Sequence, residues 1–250
     1  MCPEPVKKLI RIAIPLAFWL GVWQLAAMAV DLELMLPTPA RVLTSLLTMA
    51  GTDTFWLSAL FTLVRVFLGL LLGTALGVLL AFLTRFASWA NLLLSPAIRV
   101  IRATPVVSFI LLVYLWVTRE NIPGVIAAMM VLPVVWSSVS GGLSSVDSQL
   151  LELARAYRFS RWKTLCLIYL PSVRPHFISG FLTAFGLAWK SGVAAEVLCP
   201  PKLAIGSRIQ QARMALETAD LFAWTLVIIV LSLSLEALLR HLLKAGEVRV

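Results

Sequence analysis

Few side chains in this 250-residue sequence offer chemistry, and they are thinly spread. His176 and His241 stand alone, with neither an HExxH pair nor a Ser, His and Asp arrangement around them, so no catalytic residue is assigned. No GxxxxGK[ST] loop is present to cradle the phosphates of ATP. Cys2, Cys166 and Cys199 are odd in number and contain no CxxC pair, which indicates no metal site, no bound cofactor and no disulfide framework. What remains is a small set of ionisable groups inside apolar runs. Arg65, Lys190 and Glu196 would each cost at least ~2.5–3.5 kcal/mol at the centre of a membrane helix, so such groups face a pathway or a partner. Lys190 and Glu196 are six apart, on different faces of one helix, and should not pair. Lys190 is the leading pathway charge; contact with an anionic solute, pairing with a carboxylate of another helix, and snorkelling to an interface all remain open.

A second kind of chemistry is surface recognition. The stretch ELARAYRFSRWKTLCLIYLP, from Glu152 to Pro171, places Arg155, Arg158, Arg161 and Lys163 within nine residues between long apolar runs. Leu153, Ala156 and Tyr157 share one side of a short helix, with Arg155 and Arg158 pointing elsewhere. A second short helix is expected from a capping Ser160 to Pro171. The product is an L-shaped element, basic with an apolar ridge. It is either a docking handle for a partner groove or a solvated loop.

The elements that must position these residues follow from composition. Sixty percent of the chain is hydrophobic, 13% is charged, and the mean hydropathy is +0.95. That excludes an ordinary soluble domain and predicts an all-α, polytopic membrane protein. Barrel strands would read as short alternating segments, which are absent. Six spanning helices are expected at 12–30, 57–84, 97–117, 123–143, 175–196 and 221–243. The first is expected to be a retained signal-anchor. In the third, Arg99, Arg102 and Pro105 sit in the opening turns, predicting a broken or tilted entry. Gly69, Gly73 and Gly77 recur every fourth residue in the second, a face on which another backbone can approach, either as static packing or as a moving interface.

The net charge of +9 reports on topology rather than on nucleic acid. With both termini inside, the inner segments 1–11, 85–102, 144–174 and 236–250 carry 14 Lys and Arg, and the outer ones carry 5. This bias orients the termini and the basic stretch toward the cytoplasm. Between the first two spans, Pro37 and Pro39 break the chain and ARVLTSLLTMA reads as a short outer-face helix. The expected organisation is a cytoplasmic N-terminus (1–11), an accessory helix with the outer-face segment (12–56), a core (57–243) that includes the basic loop 144–174, and a tail (244–250).

At this point the residues resemble a known family. Glu152, Ala154, Ser160, Arg161, Trp162, Leu170 and Pro171 fall in register with the EAA loop of binding-protein-dependent ABC importer permeases. The segments LPTPARVL, TLVRVFLGLLLGTALGVLLA, SPAIRVIRATP, GLAWKSGVAAEVL and IGSRIQQA look like the sulfonate, nitrate and taurine type. Leu153 stands where the family has its second alanine, and Arg158 where it has glycine. Arginine reaches the positive φ that glycine allows only at a cost. The resemblance implies a MetI-like transmembrane domain in the bacterial plasma (inner) membrane. It also implies a second permease copy, two cytoplasmic ATPase subunits, and an extracytoplasmic binding protein that delivers a small anion or vitamin precursor. The EAA loop would be the coupling helix. A permease for another solute such as an amino acid, or a self-sufficient channel or carrier, are the competing readings.

Overall fold

The computed structural model describes residues 4–245, and every regular element among them is helical. Residues 1–3 and 246–250 of the expected terminal segments lie outside the described residues. Helix α1 (Glu4–Val30) is followed by α2 (Pro39–Ala50). Helix α2 starts as its sequence dictates: Thr38 caps it by accepting from the Arg41 amide at 3.3 Å, and Pro39 supplies a pre-set φ in the first turn. Helix α3 (Asp53–Phe86) is 34 residues long, about 51 Å at the usual rise.

The third span, expected at 97–117 with a broken or tilted entry, is broken at Pro105 and begins earlier, at Ser88. It is a bent pair, α4 (Ser88–Ala103) and α5 (Val106–Val113), with a 106° turn between them. The cause is local. Thr104 precedes Pro105, and the proline ring keeps it out of the helical region, so Thr104 is extended at ψ 132°. Helix α6 (Ile122–Ser144) then returns alongside α3.

The packing of α3 on α6 fixes the path of the chain. A Cβ on Gly69 would collide with the carbonyl oxygen of Gly124; one on Gly73 would lie 2.5 Å from that of Ala128, and one on Gly77 2.9 Å from that of Leu132. The same offset recurs at all three positions, so α3 and α6 run parallel with backbones in close contact. A chain leaving the end of α3 must therefore climb back the length of the bundle before α6 can begin. The bent pair makes that return and counts as the sixth crossing, beside five long apolar helices.

Beyond α6 come α7 (Ser148–Ala156), α8 (Arg161–Thr164), a π-helical turn (Leu165–Tyr169) and α9 (Leu170–Leu198). Gly180 packs on Ser138 and Gly142 on Val173 and His176, so α9 runs antiparallel to α6. Helix α10 (Ile205–Ala215) lies in the connection after α9, to which no helix was assigned from sequence, and α11 (Thr218–Ala245) closes the bundle. The central core is formed by α3, α6 and α9, around Val66, Leu70, Val131, Val135, Phe185 and Trp189. Phe55 stacks on Trp224 at 5.0 Å and Trp23 on Phe222 at 5.8 Å, tying the start of α11 and the end of α1 to the end of the bundle where α3 begins. The start of α1 and the end of α11 thus lie at the same end of the bundle as the 148–171 stretch.

Candidate coupling element and buried polar knot

Two sites emerge, one at each end of the bundle. At the end that carries the chain termini, Asp147 caps α7 by accepting from the Gln149 amide at 2.8 Å. Helix α7 closes in a Schellman motif: the Phe159 amide donates to the Ala154 carbonyl at 2.8 Å and the Arg158 amide to that of Arg155 at 3.0 Å. Arg158 occupies the left-handed position of this motif, with φ 53°. It therefore makes the bend that glycine would make, and bears the backbone cost of about 1–2 kcal/mol that glycine avoids. Arg158→Gly should release part of that cost, about 0.5–1 kcal/mol after glycine's greater freedom in the unfolded chain is set against it. Amide exchange at Phe159 should slow about two- to fivefold; faster exchange would mean that the arginine side chain contributes more than its backbone costs.

Ser160 caps the next helix, accepting from the Lys163 amide at 3.2 Å. This helix does not stop at Pro171. It continues through the π-helical turn into α9, making one helix from Arg161 to Leu198. The wide turn explains the difference. Pro171 has no amide to donate, and just before it the Leu170 amide reaches back to Leu165, five residues away. On this element Ala154 is buried, whereas Glu152, Arg155, Arg158, Ser160, Arg161, Leu170 and Pro171 are exposed. Leu153, Tyr157 and Trp162 are 53%, 71% and 73% exposed, so the apolar ridge has no cover from its own chain. Lys163 lies over the Phe159 ring at 4.5 Å, and Phe86 at the end of α3 meets Tyr169 edge-on. This last contact joins the element to the end of a spanning helix.

At the opposite end, the structure brings Arg65 and Glu196 together and leaves Lys190 apart. Glu196 is fully buried, accepts from the Thr62 hydroxyl at 2.8 Å and the Gly206 amide at 3.1 Å, and lies 3.7 Å from the Arg65 guanidinium. Arg65 also donates to the Leu203 carbonyl at 2.6 Å and to Glu120. The Ile205 amide donates to Thr62 at 2.9 Å, and the Lys202 amide to Glu120 at 2.9 Å. Five segments are thus knotted together: α3, the turn before α6, the end of α9, the 199–204 loop and the start of α10. Thr62, Glu120 and the loop backbone were not singled out from sequence. A signal existed, because Glu120 is the only acidic residue between Asp53 and Asp147 and matches the only arginine inside the second span. Lys190 is exposed on α9, and among the described residues it has no salt bridge.

Comparison with known proteins follows the same lines. Residues 73–245 match the family described as the binding-protein-dependent transport system inner membrane component. The chain is 26% identical to the taurine transport system permease protein TauC of Escherichia coli (strain K12), over 92% of this chain and 85% of that protein. It superposes on an amino acid ABC transporter crystallised with histidines, with TM-score 0.61 and 20% identity, covering 76% of this chain and 91% of that one. It also superposes on a bacterial ABC transporter involved in import of the acidic polysaccharide alginate, with TM-score 0.66 and 15% identity, covering 97% and 99%. The two superpositions speak for the fold.

Proposed function

The chain belongs to the binding-protein-dependent transport system inner membrane component family, and we propose on that premise that it imports a sulfonate-type organic anion through an assembly driven from the 148–171 element. It is the multi-pass permease subunit of an ABC importer in the inner membrane. Such permeases work with ATPase and binding-protein partners. In the proposed assembly two copies of this chain form the pathway, two ATPase subunits bind at the cytoplasmic end, and an extracytoplasmic binding protein delivers solute to the other. The charge bias supports placing both termini, with the coupling element, in the cytoplasm. The permease itself carries out no covalent chemistry, and energy reaches it only through contact. The core begins with α3, and α1 and α2 form an accessory unit.

The observation that carries the reading is the exposed ridge of Leu153, Tyr157 and Trp162 on an element whose every turn is capped. An apolar patch rimmed by Arg155, Arg158 and Arg161 is a protein-docking surface. Closure of the ATPases would draw the two elements together. Because Arg161 to Leu198 is one helix, the movement would pass directly into the core. The solute class rests on the taurine permease relative. Vesicles holding the chain with its ATPase and binding protein should take up labelled taurine only with ATP, and excess alkanesulfonate should abolish that uptake. Competition by amino acids alone would assign another solute, and uptake without the ATPase would point to a channel or carrier.

A further inference from the structure

Helices α6 and α9 are the central antiparallel pair, and α3 covers one side of it through Gly69, Gly73, Gly77 and the contact of Gly192 with Val66. The side turned away from α3 has a different composition from the rest of the bundle surface. On α6 the exposed positions there are Ser137, Gly141 and Ser144, spaced i, i+4, i+7. On α9 they are Ser179, Thr183, Leu187 and Lys190, spaced i, i+4, i+8, i+11, with one leucine among the polar positions. Both rows flank the α6/α9 seam, because Gly180 of α9 packs on Ser138 of α6 between them. A Cβ on Gly141 would meet nothing within 4 Å, so the seam has open space beside it. Elsewhere the exposed surface is what hydrocarbon demands, as along Phe67, Leu68, Leu71 and Leu72 of α3.

Depth makes Lys190 decisive. Gly192 packs on Val66, so Lys190, two residues further along antiparallel α9, is level with about Gly69, halfway along α3. It is also eight residues, about 12 Å, from the outer end of α9, further than a lysine stem reaches to an interface. Glu196, the carboxylate on the same helix, is buried in the knot with Arg65 and faces elsewhere. An ammonium with no salt bridge at this depth, two turns along α9 from the Thr183 hydroxyl, requires water or an anion.

We propose that Lys190 is the charge filter of the translocation path: the Ser137 and Thr183 rows form a wetted wall, and Lys190 selects solutes with an anionic headgroup such as a sulfonate. The inference deepens the importer reading and rests on it for the identity of the wall as a path. In a homodimer the two Lys190 side chains would make a ring of positive charge, which repels cations and offers an anion a transient partner without holding it.

The test uses thiol chemistry, not an assumed substrate. With Cys2, Cys166 and Cys199 replaced by alanine, Thr183→Cys and Leu187→Cys are each treated with 2-sulfonatoethyl methanethiosulfonate and with its trimethylammonium counterpart. The assembled importer is held in vesicles, with and without ATP. Both sites should react in at least one state. Lys190→Gln should slow the sulfonate reagent about tenfold relative to the cationic one, as expected for a unit charge roughly 8 Å away at an effective dielectric between protein and water. Lys190→Arg should keep the bias, which separates charge from misfolding. No reaction with either reagent, in an assembly that hydrolyses ATP, would mean that lipid or the second copy seals this face and would overturn the proposal. An unchanged ratio in Lys190→Gln would overturn it equally. If the bias holds but the vesicles show no ATP-driven uptake, the filter stands and the importer reading fails.

Discussion

Arg65→Ala should destabilise this protein by about 3–5 kcal/mol, the cost of removing one partner from a buried ion pair. The loss is large because Arg65 holds three groups at once. Glu196 is left fully buried with one carboxylate oxygen facing no counter-charge, the Leu203 carbonyl loses its donor, and Glu120 loses its guanidinium and keeps only the Lys202 amide. Coulomb attraction at 3.7 Å does not by itself make the knot stabilising, since moving two charges out of water costs as much. What tips the balance is that Thr62 and the Gly206 amide both donate to one carboxylate oxygen, leaving the other to face the guanidinium. Three variants separate these contributions. Glu196→Gln keeps an acceptor for Thr62 and should cost less than Arg65→Ala. The double variant Arg65→Ala with Glu196→Gln should cost less than the sum of the two, because it leaves no uncompensated charge. Thermal unfolding in detergent should fall by roughly 10 °C for Arg65→Ala, and by a few degrees for the double variant. Wild-type stability in Arg65→Ala would show that the knot is ornamental.

The knot also shows where sequence reading runs out. Arg65 and Glu196 announce themselves, because charges in apolar runs need a reason. Their partnership does not. It depends on α3 and α9 lying antiparallel at a contact made by Gly192 on Val66, and on the first turn of α10 supplying two amides. Neither is visible in a pattern of residue types. The six crossings were legible because hydrocarbon thickness imposes a length that any reader can count. The break in the third was legible because Pro105 acts on its immediate neighbour. Pro171 misled for the same reason. A proline is expected to end a helix, but a π-helical turn that shifts one hydrogen bond by a residue lets this helix continue, and no residue pattern specifies that choice. Helix α10 was missed because its stripe of Ile205, Ile209 and Ala212 is short and interrupted by Arg208 and Arg213. The three glycines gave the interface but not its other side, which is the backbone of α6.

The second large effect is expected at Ala154. It is 4% exposed on α7, and its carbonyl anchors the Schellman turn. Ala154→Asp would bury a carboxylate with no donor provided. The element would relieve that cost by unravelling α7 and moving the ridge of Leu153 and Tyr157. Membrane insertion should be untouched, because α7 lies outside the spanning helices. Solute-stimulated ATP hydrolysis should drop at least tenfold, whereas Glu152→Ala, an exposed truncation on the same element, should lower it only severalfold. Unchanged coupling in both would remove the docking role from this element.

The most direct measurement is made on the working assembly itself. A benzophenone side chain is placed at Tyr157, which is 71% exposed at the corner of the element, and activated by light in the complex with nucleotide and without it. The predicted product is an adduct to the ATPase subunit, with a yield that changes between the two nucleotide conditions because closure alters the contact. An assembly that hydrolyses ATP yet gives adducts only to lipid, or none at all, would contradict the claim that this permease is driven through its 148–171 element.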